Sequence, residues 1–192
     1  MDNSGLDLFH VKLYNLLDSC ERYSAGVWAY VKPLQQSVAS FDMVPLDNKL
    51  FLIGGINVSD AAQELVQQYD PDLNSWSLTT PLGTPRAGFA AVAQNGHVFA
   101  CGGFDPPNNL ASCERFDPKI GQWLPIAEMN VGRPNLQMIS DGQRLFALGG
   151  CDSSNSEPWL NHPEMYNAEM DDWTLLQTNL GTVCGSSAVI LK

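Results

Sequence analysis

The chain is written in short apolar runs separated by turn signals, and its repeating units contain no convincing helix. Lys49–Ile53 (KLFLI), His97–Cys101 (HVFAC) and Arg144–Leu148 (RLFAL) are nearly continuous apolar segments, the pattern of a strand covered on both faces. Each is followed at once by a glycine pair, Gly54-Gly55, Gly102-Gly103 or Gly149-Gly150, where the missing side chain lets neighbouring backbones approach. Phe89–Ala93 and Leu136–Ser140 predict a strand just before, joined through Asn95-Gly96 or Asp141-Gly142, residue types that accept the positive φ of a tight hairpin.

Two further strands follow each glycine pair. An aromatic stands seven residues before a tryptophan in Tyr69/Trp76, Phe116/Trp123 and Tyr166/Trp173, with turn sequences such as Asp70–Asn74 and Asp117–Gly121 between. The glycine pairs recur at spacings of 48 and 47, and Trp28, Trp76, Trp123 and Trp173 at 48, 47 and 50. Two independent markers on one period define a repeat. The unit is a four-stranded meander, with strands a to d in order. So thin a sheet cannot bury both faces alone, and copies must stack face to face around an axis, as in a β-propeller. The aromatics of c and d then fill the wedges between blades.

The order Gly-Gly, aromatic-Asp-Pro, then Trp seven residues after the aromatic resembles the Kelch repeat, in three full copies over residues 35–180. The resemblance implies a Kelch-type propeller, and with it a protein-binding role on a loop face. At the N-terminus Cys20–Tyr23 matches Cys113–Phe116, and Leu6–Val11 occupies the strand b slot without a glycine pair. At the other end Gly181–Ile190 matches Gly83–Val92 without gaps, which sets Cys184 opposite Arg86. The expected fold is therefore all-β: four four-stranded blades, the first closed by the C-terminal strand, Ser187–Leu191 beside Leu6–Val11. Blade 1 is 1–34 plus 181–192, blade 2 is 35–82, blade 3 is 83–129 and blade 4 is 130–180, all in one domain. Kelch propellers usually have five to seven blades, so a piece of a larger Kelch domain, or two chains completing one ring as a homodimer, stay open beside closure.

Composition narrows the chemistry. The net charge of −11 is spread over the whole chain without a basic patch, which excludes nucleic acid as a primary partner. No apolar run nears the roughly 20 residues of a membrane span, and Met1–Ser4 has no basic n-region of a secretory signal. Five cysteines without a CxxC pair predict reduced thiols and a cytoplasmic setting, the nucleus also being open, with Cys101 in the core and Cys151 in a loop with some capacity for redox sensing. His10, His97 and His162 have no ligand-spaced partner, so neither a metal, another cofactor nor an enzyme is expected.

Function is expected on the variable loops of one face. The b-to-c loops supply Phe104, Asp105, Asn108 and Asn109 in one blade, and Asp152, Asn155 and Trp159 in the next. The d-to-a linkers supply Arg86 and Arg133, each 16 residues before the first glycine of its pair; the matching blade 2 position is Val38. Two readings of these arginines stand: bidentate contact with a partner's carboxylate, or anchorage of their own loops to backbone carbonyls or an acid. Trp159 likewise fits a binding anchor or a plug under its own loop. By resemblance, the module is a protein or peptide binder, in some Kelch proteins the substrate-recognition part of a cullin-type ubiquitin ligase adaptor. An actin-associated scaffold is the alternative, and a small-molecule enzyme the more distant one.

Overall fold

The computed structural model describes residues 8–11, 19–151, 160–181 and 184–185. Among them no helix occurs, and none is long and apolar enough to cross a membrane. The strands form four antiparallel meanders. Blade 1 holds β1 (Leu8–Val11), β2 (Cys20–Ser24) and β3 (Val27–Tyr30), with Val11 opposite Cys20. Blade 2 holds β4 (Asp42–Leu46), β5 (Lys49–Ile53), β6 (Val66–Asp70) and β7 (Ser75–Leu78).

Blade 3 holds β8 (Ala90–Gln94), β9 (His97–Cys101), β12 (Cys113–Asp117) and β13 (Gln122–Ile126), and between β9 and β12 a small hairpin of β10 (Phe104–Asp105) and β11 (Asn108–Asn109) stands apart. Blade 4 holds β14 (Leu136–Ser140), β15 (Leu145–Gly149), β16 (Glu164–Asn167) and β17 (Asp172–Leu175). The predicted strands are present, displaced by one residue at β8 and β15. The closing strand Ser187–Leu191 and the loop residues Asp152, Asn155 and Trp159 lie outside the described residues.

Turn chemistry sets the register. Asp47 and Asn48 (φ 48° and 58°) and Asn95 and Gly96 (φ 51° and 74°) occupy the left-handed region that two-residue hairpins of this kind require. The hairpins that join strands c and d put each aromatic directly opposite its tryptophan, with ring centroids 5.1 Å apart for Tyr69/Trp76, 5.3 Å for Phe116/Trp123 and 5.2 Å for Tyr166/Trp173.

Three apolar clusters fill three seams. Leu34, Val38, Leu52, Tyr69 and Trp76 join blades 1 and 2. Phe51, Val66, Phe89, Val98, Phe116 and Trp123 join blades 2 and 3. Phe99, Met129, Met138, Tyr166 and Trp173 join blades 3 and 4. In each seam the indole N–H of the later blade donates to the linker leaving the earlier one: Trp76 to the Lys32 carbonyl (3.0 Å), Trp123 to Thr80 (3.1 Å) and Trp173 to Ala127 (3.0 Å). The wedge role expected of the aromatics is what these seams show.

Trp28 stands at the same repeat position. It is 49% exposed, flanked by Val27 and Tyr30, which are also exposed. Among the described strands, no contact joins β1–β3 to β14–β17.

Candidate functional site

The face of interest is built where each glycine pair meets the start of the next blade. Strands β4, β8 and β14 lie side by side. The residues just ahead of them are linked in series: Gly88 N–H to the Ser40 carbonyl (2.9 Å), Asn135 N–H to Gly88 (2.6 Å) and Gly185 N–H to Asn135 (3.0 Å). All four residues have left-handed φ, at 53°, 54°, 56° and 61° for Ser40, Gly88, Asn135 and Gly185. The glycine pairs admit this close packing, for a Cβ on Gly55 would lie 2.5 Å from the Ala39 carbonyl oxygen.

The series also corrects the matching of the C-terminus. Gly185 takes the place of Gly88, so Cys184 corresponds to Ala87 rather than to Arg86. The stretch from Gly181 to Gly185 is one residue shorter than that from Gly83 to Gly88.

Arg86 and Arg133 do not reach the face. They are 0% and 1% exposed, among the largest fully buried side chains described. Arg86 Nη1 donates to the carbonyls of Gly102 and Ser112 (both 2.9 Å), and Nη2 to Glu114 Oε1 (2.8 Å). Arg133 donates through Nη1 to the Gly149 carbonyl (2.8 Å), through Nη2 to the His162 carbonyl (2.7 Å) and through Nε to Glu164 Oε1 (3.0 Å). The spacing of 16 thus records a bond from each arginine to the first glycine of its pair. The placing of Arg86 and Arg133 among partner-binding residues is corrected, because both guanidinium groups are buried and bonded inside their own blade.

The acids complete a post that holds the linker. Glu114 accepts from Gly83 N–H (2.6 Å) and Thr84 N–H (3.0 Å), and Glu164 from the Asn130 N–H and Nδ2 (2.6 Å each). In blade 2 the position holds buried Gln67, whose Oε1 accepts from Gln35 and Gln36 N–H (2.8 and 3.1 Å). Val38 stands there in place of an arginine, so where the cation is missing the acid is an amide. Glu114 and Glu164 were not singled out from sequence, though both stand two residues before the strand c aromatic, as Gln67 does.

What the face does present is loop backbone and short polar side chains. Ala87 and Phe104 exchange two backbone hydrogen bonds (3.0 and 2.8 Å), and the Phe104 ring lies over Gly88, half-buried with Asp105. Asn108 and Asn109 are exposed on the second strand of the hairpin, whose base is fixed by Leu110 N–H to the Gly103 carbonyl (2.9 Å). In the neighbouring loop Asn57 Oδ1 accepts from Ser59 and Ala61 N–H (2.9 and 3.2 Å), and Val58 projects, 79% exposed. Residues 55–62 and 103–110 include Asp60 and Asp105 and neither Lys nor Arg. Among the described residues no cluster of three or more His, Cys, Asp or Glu could hold a metal ion.

Meander sheets stacked in series, each docking its tryptophan on the linker of the one before, are blades of the propeller type. The family model described as Kelch motif matches residues 85–130. The chain is 36% identical over 76 residues to Kelch-like protein 33 of Homo sapiens, covering 40% of this chain and 14% of that protein. It is 28% identical over 100 residues to Kelch repeat and BTB domain-containing protein 12 of Danio rerio, covering 47% and 16%. The solved structure of YjhT superposes with a TM-score of 0.76 at 15% identity, covering 93% of this chain and 64% of that one, a likeness of fold alone. The match to the Kelch motif is confined to residues 85–130, and the chain spans less than a fifth of the length of either curated relative.

Proposed function

We propose that this chain is a protein-interaction module whose binding face is the row of b-to-c loops, centred on the hairpin Phe104–Asn109 and the loop around Val58. The observation that carries the reading is the contrast within each repeat. Glycine pair, buried arginine and acid, and seam tryptophan are spent on the scaffold, whereas the loops after the glycine pairs differ from blade to blade and expose Asn108, Asn109 and Val58 on a fixed base. Loops carried on a rigid scaffold are where recognition resides.

The chemistry of the loops selects the partner. With Arg86 and Arg133 withdrawn and no other cation in these loops, an acidic peptide has nothing to pair with. Asn carboxamides beside Asp60 and Asp105 fit a segment that presents amide or cationic donors around an apolar residue. In relatives named for a BTB domain, such a module would supply the recognition half of an adaptor, and recognition is what we assign to this chain. The test is affinity capture with wild type and with the Asn108→Ala/Asn109→Ala/Val58→Asp variant, after equal melting temperatures are established. Loss of partners from the variant supports the face; an unchanged partner set overturns it.

A further inference from the structure

Two of the five cysteines meet at the seam between blade 4 and the segment that follows it. Gly55 N–H donates to the Arg86 carbonyl and Gly103 N–H to Arg133 (both 2.9 Å), which sets the residue after each glycine pair beside the residue after each linker arginine. In blade 4 the residue after the pair is Cys151, held by its N–H on the Pro134 carbonyl (3.0 Å). At the next linker, the Gly185 N–H bond to Asn135 puts Cys184 at the matching position. The neighbouring Cys151 side chain contributes to pushing the Cys184 thiol up. Cys151 Sγ also points to the Pro134 carbonyl and receives Asn135 Nδ2, each at 3.7 Å, so its side chain is oriented on the seam. In the other two seams these positions hold Ile56 and Ala87, and Phe104 and Pro134, without sulfur.

We infer that Cys151 and Cys184 are an oxidation-responsive thiol pair that closes into a disulfide on exposure to a peroxide. Both are half-buried, so a small oxidant reaches them. The chain carries its own comparison, since Cys101 and Cys113 stand directly opposite each other on β9 and β12 but are 0% and 1% exposed in the seam core. Burial pushes the Cys113 thiol well above its ordinary value, which withholds the thiolate that reacts.

Burial and the neighbouring sulfur push Cys184 up to about 11, so Cys184 stays a thiol and Cys151 is oxidised first. The Cys151 sulfur attacks one peroxide oxygen, the O–O bond breaks, and a sulfenic acid and one water form. The Cys184 sulfur then attacks the sulfenic sulfur, its proton leaves with the hydroxyl as a second water, and the S–S bond forms. Two thiols lose two hydrogens in all, and one hydrogen peroxide becomes two waters.

The test is native treatment with stoichiometric hydrogen peroxide, alkylation, digestion without reductant and mass spectrometry. The expected result is one linked peptide pair containing Cys151 and Cys184, with alkylatable thiols falling from five to three and dithiothreitol restoring all five. In the Cys184→Ser variant, Cys151 should instead be trapped as a dimedone adduct. A wild-type protein whose Cys151 and Cys184 both remain alkylatable, or pass to sulfinic acid without a linked peptide, overturns the inference, as does a bridge between Cys101 and Cys113 in its place.

Discussion

Arg86 and Glu114 meet at 2.8 Å inside blade 3 with side chains 0% and 6% exposed, and the pair ties the entering linker to strand c and to the glycine pair at once. Arg133 and Glu164 repeat it in blade 4 at 3.0 Å. Blade 2 builds the same post from Val38 and Gln67. Charge is therefore used as a matched set, all present or all absent, which is what the cost of an uncompensated buried ion demands.

Removing one member should strand the other. Glu114→Ala is expected to destabilise the chain by about 3–5 kcal/mol, read from urea denaturation. Arg86→Val together with Glu114→Gln transplants the blade 2 solution and should recover most of that loss. A double variant as unstable as the sum of its single variants would show that the pair is not a unit.

The seam tryptophans divide by what covers them. Trp123→Ala removes a buried indole and its bond to the Thr80 carbonyl, and should cost about 3–5 kcal/mol. Trp28→Ala removes a half-exposed ring and should cost about 1–2 kcal/mol. Urea midpoints and slopes of the two variants provide the comparison. A Trp28 loss as large as that of Trp123 would mean that its face is covered in solution, by the chain's own end or by a second copy.

Periodicity made the blades legible. The glycine pairs and the Tyr/Trp pairs lie at fixed offsets because backbone approach and cross-strand ring packing tolerate few residue types there, so strand order and seam aromatics could be read directly. Arg86 and Arg133 showed their spacing but not their direction, since a position says nothing about which way a long side chain turns. The cue was in strand c: acids in the Arg86 and Arg133 blades and Gln67 in the Val38 blade, a pairing visible only when both positions are compared across repeats. Cys184 was matched one residue off because side-chain similarity cannot register a one-residue deletion between Gly181 and Gly185, whereas the Gly185 to Asn135 hydrogen bond does.

Two left-handed glycines separate conformational strain from crowding. Gly96 (φ 74°) has open space where a Cβ would stand, so Gly96→Ala bears only the cost of its φ, about 1–2 kcal/mol. Gly55 (φ 101°) would in addition drive its Cβ against the Ala39 carbonyl. Gly55→Ala should therefore exceed Gly96→Ala by about 1–3 kcal/mol, measured by chemical denaturation. Equal losses would mean that the approach of Gly55 to the Ala39 backbone within blade 2 opens without cost.

Asp42 gives the fold a pH dependence of unusual sign. Its carboxylate, in β4, accepts Ala91 N–H of β8 and its own neighbour Met43 N–H, both at 2.7 Å, so it bridges two blades. Burial nevertheless pushes it up to about 6, against the opposing pull of those two N–H groups. The unfolded chain titrates this group near 3.8, so between roughly pH 4 and 6 the folded state holds more proton than the unfolded one. Stability from this residue is then greatest below about pH 4, falls as pH rises toward 6 and levels off above it. Asp141, held down to about 2 by the N–H groups of Arg144 and Gln143, works in the opposite direction at lower pH, losing its contribution as pH falls from about 4 toward 2. Urea midpoints at pH 4, 5, 6 and 7 should decline in wild type, and Asp42→Asn, which has no proton to lose, should flatten the decline. The same slope in the variant would assign it to another group.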